Sequence, residues 1–324
     1  MSLSYIKYYM TNDLLHIFGR DPNKVWSRVL FIIAGITIAI LGYNQLIKPD
    51  PLRSEGFVQT APFVTKTNLD IYDDFYVELY DKINKPEVQT HFIIEKVIDM
   101  TLPSKEKSVF LDIGSGTGVL TNAIKQKGYT IYGIDIAHSM VEHCAEKYPK
   151  IPIKCGDVLA PMTYDRNTFS HVLCTNMTIY HFQDKKDFFR KCYFMMKPNS
   201  YMILHLVDRA QFDPIIQGGK PDGIASPQQY SDMRITDTVI DFLDFKYKAS
   251  YDLSKPNGET ILLETMTDNM THHVRQNELT LYMEDYNLIL KCAQANGFIV
   301  HGQVNMLECI GDEHQYIFVL ERTL

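Results

Sequence analysis

Positive charge is in short supply in this 324-residue chain: 32 Lys and Arg stand against 39 Asp and Glu, for a net charge of −7. With a pI near 5.9, that balance disfavours a long nucleic-acid track. Paired cysteines are missing too. The six present (Cys144, Cys155, Cys174, Cys192, Cys292 and Cys309) contain no C-x-x-C pair, so neither a disulfide framework nor a zinc site is indicated and no metal ligands are assigned. Most fall inside strand or helix patterns and read as small, reduced core residues of a cytosol-facing domain. With 45% hydrophobic and 22% charged residues, the chain has enough apolar side chains for one large or two small folded domains.

Charge is also absent from VLFIIAGITIAILGYNQLI, residues 29–47. The 19 residues approach the roughly 20 needed to cross hydrocarbon. Val, Leu, Ile and Phe, at about −0.3 to −0.6 kcal/mol each, favour insertion by roughly 3–7 kcal/mol. Asn44 and Gln45 offset part of this near one end. Trp26 and Tyr43 sit where interfacial aromatics belong. A core helix would show a polar face, and a signal peptide would start nearer the N-terminus and end in an A-x-A-like site. The reading is therefore a transmembrane helix over residues 25–47, preceded by an N-terminal segment (1–24). Arg20, Lys24 and Arg28 on one side balance Lys48, Arg53 and Lys66 on the other, so counting positive charges leaves the orientation tied.

Residues 48–68 read as a linker, with Pro49, Pro51 and Pro62 and few periodic apolar positions. A folded domain is expected over 69–324. It opens on IYDDFYVELYDKI (71–83), whose Tyr72, Phe75, Tyr76, Leu79, Tyr80 and Ile83 form one helical stripe. A second helix is expected from about Pro86 to Met100. From Ser108 strands (108–113, 129–135, 151–155, 169–175, 201–207) alternate with helices (117–127, 138–148, 184–196). That alternation predicts an α/β fold with a parallel sheet, helices on both faces, and a ligand at the strands' carboxyl ends.

The chemistry centres on VFLDIGSGTGVL, residues 109–120. An apolar strand ends near Asp112; Gly114, Gly116 and Gly118 follow at alternate positions, with Ser115 between the first two, and a helix begins. Glycines allow torsions closed to other residues, and the free N–H groups of the helix start face a ligand lying on the turn. The next strand ends in Asp135, 21 residues after Gly114, where a carboxylate accepts hydrogen bonds from ribose hydroxyls. The third leads into CGDVLAP (155–161), with Asp157 and Val158. One acid after a strand is commonly a helix cap; three at successive strand ends form a pattern.

These residues resemble the class I S-adenosylmethionine-dependent methyltransferases of the small-molecule type. The resemblance covers about residues 71–324 and is densest over 109–158. It implies a Rossmann-like seven-stranded sheet, mostly parallel with the last strand antiparallel, closed by YNLILKCAQANGFIV (286–300) and QYIFVLER (315–322). It also implies S-adenosylmethionine as cofactor. By resemblance Asp112 helps hold its methionine end, Ile136 and Met140 flank the adenine, and Asp157 receives the adenine amino group. Val158 stacks beside it, and Asn176 lies near the methionine moiety. Where the family has a K-P-G-G turn, this chain reads KPNS (197–200), and Asn199 tolerates the left-handed conformation. The helix bearing Tyr76 and Tyr80 resembles one that closes over cofactor and substrate, the alternative being plain core packing. Since S-adenosylmethionine is expected in the cytosol, the domain should face the cytosol from a single-pass anchor.

Methyl transfer mainly requires alignment and exclusion of water, with a base only if the nucleophile must lose a proton. Base candidates are His181, preferred as a strand-end residue, and Tyr180, with His205 on the fifth strand as substrate contact or core histidine. Residues 208–280 form a β-rich insert, including extended stretches on either side of SKPNGE (254–259). By resemblance such inserts cover the site, so His273, Arg275, Tyr247, Tyr251, Met266 and Tyr282 are candidate lining residues. TNMT follows the fourth strand in place of [DN]-P-P-[YF], and no P-C or T-C motif lies near it, against nucleobase or glutamine amino methylation and cytosine-5 chemistry. The expected function is a membrane-anchored methyltransferase of O or N on a small-molecule or lipid-like acceptor. The rivals are a methyltransferase of a protein partner, which needs an open groove, and a tethered S-adenosylmethionine-binding module without turnover.

Overall fold

The computed structural model describes residues 32–38, 59–220 and 226–324. The chain divides into two units, 1–56 and 57–324. In the first, residues 32–38 are helical with exposed side chains. The rest of the 25–47 span expected to cross a membrane lies outside the described residues, as does the 1–24 segment. Among the described residues no helix is long and apolar enough to cross a membrane.

The second unit begins with β1 (Phe63–Thr67), α1 (Asp74–Asn84) and α2 (Glu87–Thr101). The alternating region follows as β2 (Val109–Ile113), α3 (Val119–Gln126), β3 (Thr130–Asp135), α4 (His138–Lys147) and β4 (Ile153–Cys155). It continues with β5 (Phe169–Cys174), α5 (Lys185–Met195) and β6 (Met196–Val207). Four strands then run in sequence: β7 (Asp237–Asp241), β8 (Phe245–Asp252), β9 (Glu259–Asp268) and β10 (Val274–Tyr282). The chain closes on α6 (Tyr286–Ala295), β11 (Phe298–Met306) and β12 (Asp312–Arg322).

The main sheet has the order β11-β12-β6-β5-β2-β3-β4. Its β6-to-β4 portion is parallel, and β12 runs antiparallel to β6 and to β11. Alternate residues feed opposite cores. Phe110, Leu173, Ile203, Ile317 and Val319 pack with α2 and α3. Leu111, Ile113, Cys174, Leu204 and Phe318 pack on the other side with α1, α5, α6 and the insert. This period of two is what a sheet buried on both faces requires. The chain leaves β2 for β3 and β4, then returns to the other side of β2 as β5, so the order reverses beside β2. That reversal opens a crevice at the strands' carboxyl ends.

Two local expectations need correction. Residues 63–67, read as linker, form β1 and pair in parallel with β10. Their alternating exposure gave little apolar signal, and the partner lies about 200 residues away in sequence. The insert is also more than a covering: β1-β10-β9-β8-β7 forms a separate five-stranded sheet, with residues 237–252 folded into a hairpin rather than one strand. The KPNS segment lies inside β6 as a register shift against β5, with Asn199 at φ 55°. All six cysteines are free thiols; Cys155 is exposed, and Cys144, Cys174 and Cys192 are buried.

Candidate active site

The glycine turn is stitched to β3 before any ligand is considered. The Gly114 and Ser115 N–H groups both donate to the Ile134 carbonyl, at 2.9 and 3.1 Å. Gly116 N–H donates to Asp135 Oδ2 at 2.8 Å, and Ala137 N–H to Asp135 Oδ1 at 2.9 Å. Burial raises the Asp135 pKa, and these N–H groups offset part of the rise. The carboxylate is thus oriented by the backbone at the crevice edge. A Cβ on Gly114, at φ +66°, would stand 2.5 Å from Thr178 Cγ2, so the turn excludes a side chain there.

Three residues expected at the cofactor serve the frame instead. Asp112 is buried behind the turn and accepts a hydrogen bond from Thr121 Oγ1 at 2.6 Å, and desolvation pushes its pKa up to about 7. Gly118 allows close helix packing, since a Cβ there would run into Cys144 Sγ. Ser115 is buried against Gly133. None of the three lines the cavity.

That cavity holds about 380 Å³ and is lined by Gly114, Gly116, Asp135, Ile136, Met140, Asp157, Val158, Asn176 and His181, all expected from sequence. Thr178, Gly156 and Phe182 add to the wall, and Tyr72 and Tyr80 reach it from the α1 side. Asp157 is exposed to the cavity, and one of its oxygens accepts from Leu159 N–H at 2.8 Å. Asn176 and Met177 are successive non-glycine residues at φ 50° and 63°. Such strain persists where the surroundings enforce it, and it clusters at functional loops.

A second cavity of about 140 Å³ shares Tyr72, Tyr80, Asn176 and His181 with the first. Its further walls include Tyr76 from α1, His205 from β6, Phe212 and Ile216, and Tyr251, Leu262 and Glu264 from the insert. Insert and α1 thus both form parts of its wall, and Tyr76 and Tyr80 of α1 line it. His181 is open to the cavities yet surrounded by protein; desolvation and the Lys185 ammonium lower its pKa to about 4, leaving a neutral imidazole. His205 is 2% exposed and likewise lowered to about 4 by burial. Its Nε2 bonds Gln315 Oε1 at 2.9 Å, while Nδ1 has no protein partner.

Tyr180 does not belong to the site. It is fully buried, and its hydroxyl accepts from Val207 N–H at 2.8 Å, bracing the loop against the end of β6. Adjacent residues of this tight turn point apart, which sends Tyr180 inward and His181 to the cavities. His273 lies at the insert edge, its Nδ1 2.8 Å from the Gln59 carbonyl. Arg275 is buried, and its Nη1 donates to both carboxylate oxygens of Asp73 at 3.0 and 2.9 Å. Neither lines either of these two cavities, nor do Tyr247, Met266 and Tyr282.

Sequence reasoning missed Glu264. Along β9, Thr260, Leu262, Glu264, Met266 and Asp268 share the buried face. An acid at the same parity as Leu262 and Met266 is the signal that marks it. Among the described residues, no His, Cys, Asp and Glu cluster suits a metal.

Residues 111–204 match the family model described as a methyltransferase domain. A ubiquinone biosynthesis O-methyltransferase of Coxiella burnetii is 25% identical over 118 residues, 35% of this chain and 49% of the relative. The chain therefore spans about half the length of that curated relative. An S-adenosylmethionine-dependent methyltransferase structure from Clostridium acetobutylicum superposes with TM-score 0.58 at 15% identity, over 78% of this chain and 99% of that one. The S-adenosylmethionine-bound structure of an amino pentose methyltransferase from Micromonospora echinaspora gives TM-score 0.54 at 14% identity, over 78% and 98%. These two likenesses concern the fold. The glycine turn and the acids at the ends of β3 and β4 fall inside the segment that matches the methyltransferase-domain model, and the fold is that of S-adenosylmethionine-dependent methyltransferases.

Proposed function

We propose that the protein transfers a methyl group from S-adenosylmethionine to an oxygen or nitrogen of a small molecule held in the 140 Å³ cavity. The observation that carries this reading is the wall of four residues common to both cavities, which brings a second ligand beside the cofactor. Bound S-adenosylmethionine supplies an electrophilic methyl on its sulfonium. Asp135 would hold the ribose hydroxyls, Asp157 the adenine amino group, and Ile136, Met140 and Val158 the adenine faces. Gly114 and Gly116 let the ligand lie against the main chain. Tyr72, Tyr80, Asn176 and His181 would align the acceptor and exclude water, which is most of what this reaction asks of a protein. The small volume of the cavity favours a compact acceptor over a bulky one. Calorimetric titration of the full chain with S-adenosylmethionine and S-adenosylhomocysteine tests the cofactor site. Micromolar binding of both supports it, and no binding by folded protein refutes it.

The charge-free run at 29–47 supports a further reading, a single-pass tether with a lipid-like acceptor within reach; the expected cytosolic supply of S-adenosylmethionine would put the domain on that side. Membrane fractionation of the full chain beside a variant lacking 25–47 tests it; recovery of both in the soluble fraction sinks it.

A further inference from the structure

The acceptor cavity has an unusual charge pattern. Among the described residues, no lysine or arginine lines it, while Glu264 and Asp213 do. Asp213 is neutralised by Lys220, whose Nζ lies 2.7 Å from its Oδ2. Glu264 has no such partner. It is 2% exposed, and its carboxylate takes hydrogen bonds from Tyr76 Oη at 2.7 Å, Tyr247 Oη at 2.6 Å and Asn277 Nδ2 at 3.1 Å. Burial raises the Glu264 pKa, while the Tyr247, Tyr76 and Asn277 donors and the Arg275 charge offset part of the rise, so an ammonium beside the carboxyl group would tip it to the ionised form. The guanidinium of Arg275 lies one residue further along this chain of bonds. It donates through Nε to Asn277 Oδ1 and is otherwise committed to Asp73 and the Ile71 carbonyl. A buried carboxylate without a cation is costly, and a cationic ligand removes that cost.

The rest of the wall agrees. Tyr72, Tyr76, Tyr80 and Tyr251 surround the space, with Tyr72–Tyr76 and Tyr76–Tyr80 ring centroids 5.8 and 6.2 Å apart in edge-on pairs. Aromatic faces attract ammonium groups. His205 Nδ1 and Gln89 Oε1, on two other lining residues, are buried acceptors with no protein partner. The cavity thus offers acceptors, aromatic faces and one carboxyl group with no direct salt-bridge partner. We propose that the methyl acceptor is a compact molecule bearing a protonated amine, anchored by Glu264 inside the tyrosine cage. A phosphate or carboxylate on the acceptor is disfavoured for the same reason. Glu264 lines the acceptor cavity and not the cofactor cavity, so the anchored ammonium is a different atom from the methylated one.

This inference rests on the proposed function, and the test separates the two. The full chain is first titrated with S-adenosylhomocysteine, which reads the cofactor site alone. With and without that ligand, it is then titrated with three ring compounds of similar shape: cyclohexylamine, cyclohexanol and cyclohexanecarboxylate. A cavity near 150 Å³ accepts a six-membered ring. Cyclohexylamine is expected to bind at least tenfold tighter than cyclohexanol, with no measurable binding of the carboxylate. E264Q is expected to abolish the amine preference while leaving S-adenosylhomocysteine affinity within twofold. Equal binding of amine and alcohol by the wild-type protein overturns the inference, as does tighter binding of the carboxylate or an amine preference that survives in E264Q. The wild-type comparison needs no variant, so it decides the matter even if E264Q does not fold. Loss of S-adenosylhomocysteine binding with the amine preference intact overturns the proposed function and leaves the Glu264 anchor standing.

Discussion

Gly114→Ala puts a methyl group where Thr178 already is. The new Cβ stands 2.5 Å from Thr178 Cγ2 and 3.1 Å from Oγ1, on a residue at φ +66°. The left-handed conformation costs an L-residue roughly 1–2 kcal/mol. Forcing a methyl into packed surroundings adds about 1–3 kcal/mol. The single variant should therefore lose about 2–5 kcal/mol of stability, the sum of those two ranges. Thr178→Ser removes Cγ2 and leaves the backbone strain, so the double variant should recover the packing part. A coupling of about 1–3 kcal/mol is expected between the two sites, within the span seen for residues in contact. Urea denaturation of the four proteins, with midpoints compared at constant m-value, measures it. Additive losses, with coupling under about 0.5 kcal/mol, would refute the contact between the glycine turn and the loop after β5. Because Thr178 lines the cofactor cavity, Gly114→Ala should also weaken S-adenosylmethionine binding, and Thr178→Ser should restore part of it.

Other substitutions separate site from frame. Asp135→Ala removes the carboxylate oriented by Gly116 and Ala137, and should weaken S-adenosylmethionine binding by more than about tenfold, since hydrogen bonds to charged groups are worth roughly 1.5–3 kcal/mol each; unchanged affinity would remove the ribose assignment. Tyr180→Phe should leave kcat near the wild-type value and cost about 1–3 kcal/mol, because the buried Val207 N–H loses its acceptor. A large fall in kcat with unchanged stability would return Tyr180 to the catalytic group. Asp112 gives a pH signature: its pKa is raised in the folded protein to about 7, so between the ordinary carboxylate range near 4 and pH 7 the folded state holds a proton that the unfolded state has lost. Its contribution therefore falls as pH rises through that window, and Asp112→Asn should cancel the fall. Parallel stability profiles for the two proteins at pH 4.5 and 7.5 would contradict the burial argument.

The cofactor cavity was the most legible part of this protein. Gly114, Gly116, Asp135, Ile136, Met140, Asp157, Val158 and Asn176 all follow strands of the alternating region, and the parallel order delivers strand ends to one crevice. The roles of near neighbours were harder to read. Tyr180 and His181 are adjacent and chemically plausible, but the sense of the short turn sends one into the core. Asp112 sits at the expected position, yet its carboxyl turns behind the strand to Thr121. Side-chain direction at a strand end depends on the next few torsions, which residue type constrains weakly.

The α/β class, the glycine turn and the acids at the strand ends are legible in the residues alone, because they depend on local periodicity and on torsions that glycine alone adopts readily. The second cavity depends on tertiary structure. Its walls come from α1, the loop after β5, β6 and the insert, elements separated by up to about 200 residues, and β1 docks on β10 across a similar gap. Pairing at that distance is governed by which faces remain to be buried once the main sheet has formed, and no local pattern records it. Only that packing brings Glu264 beside Tyr76 and sets the second cavity against the first.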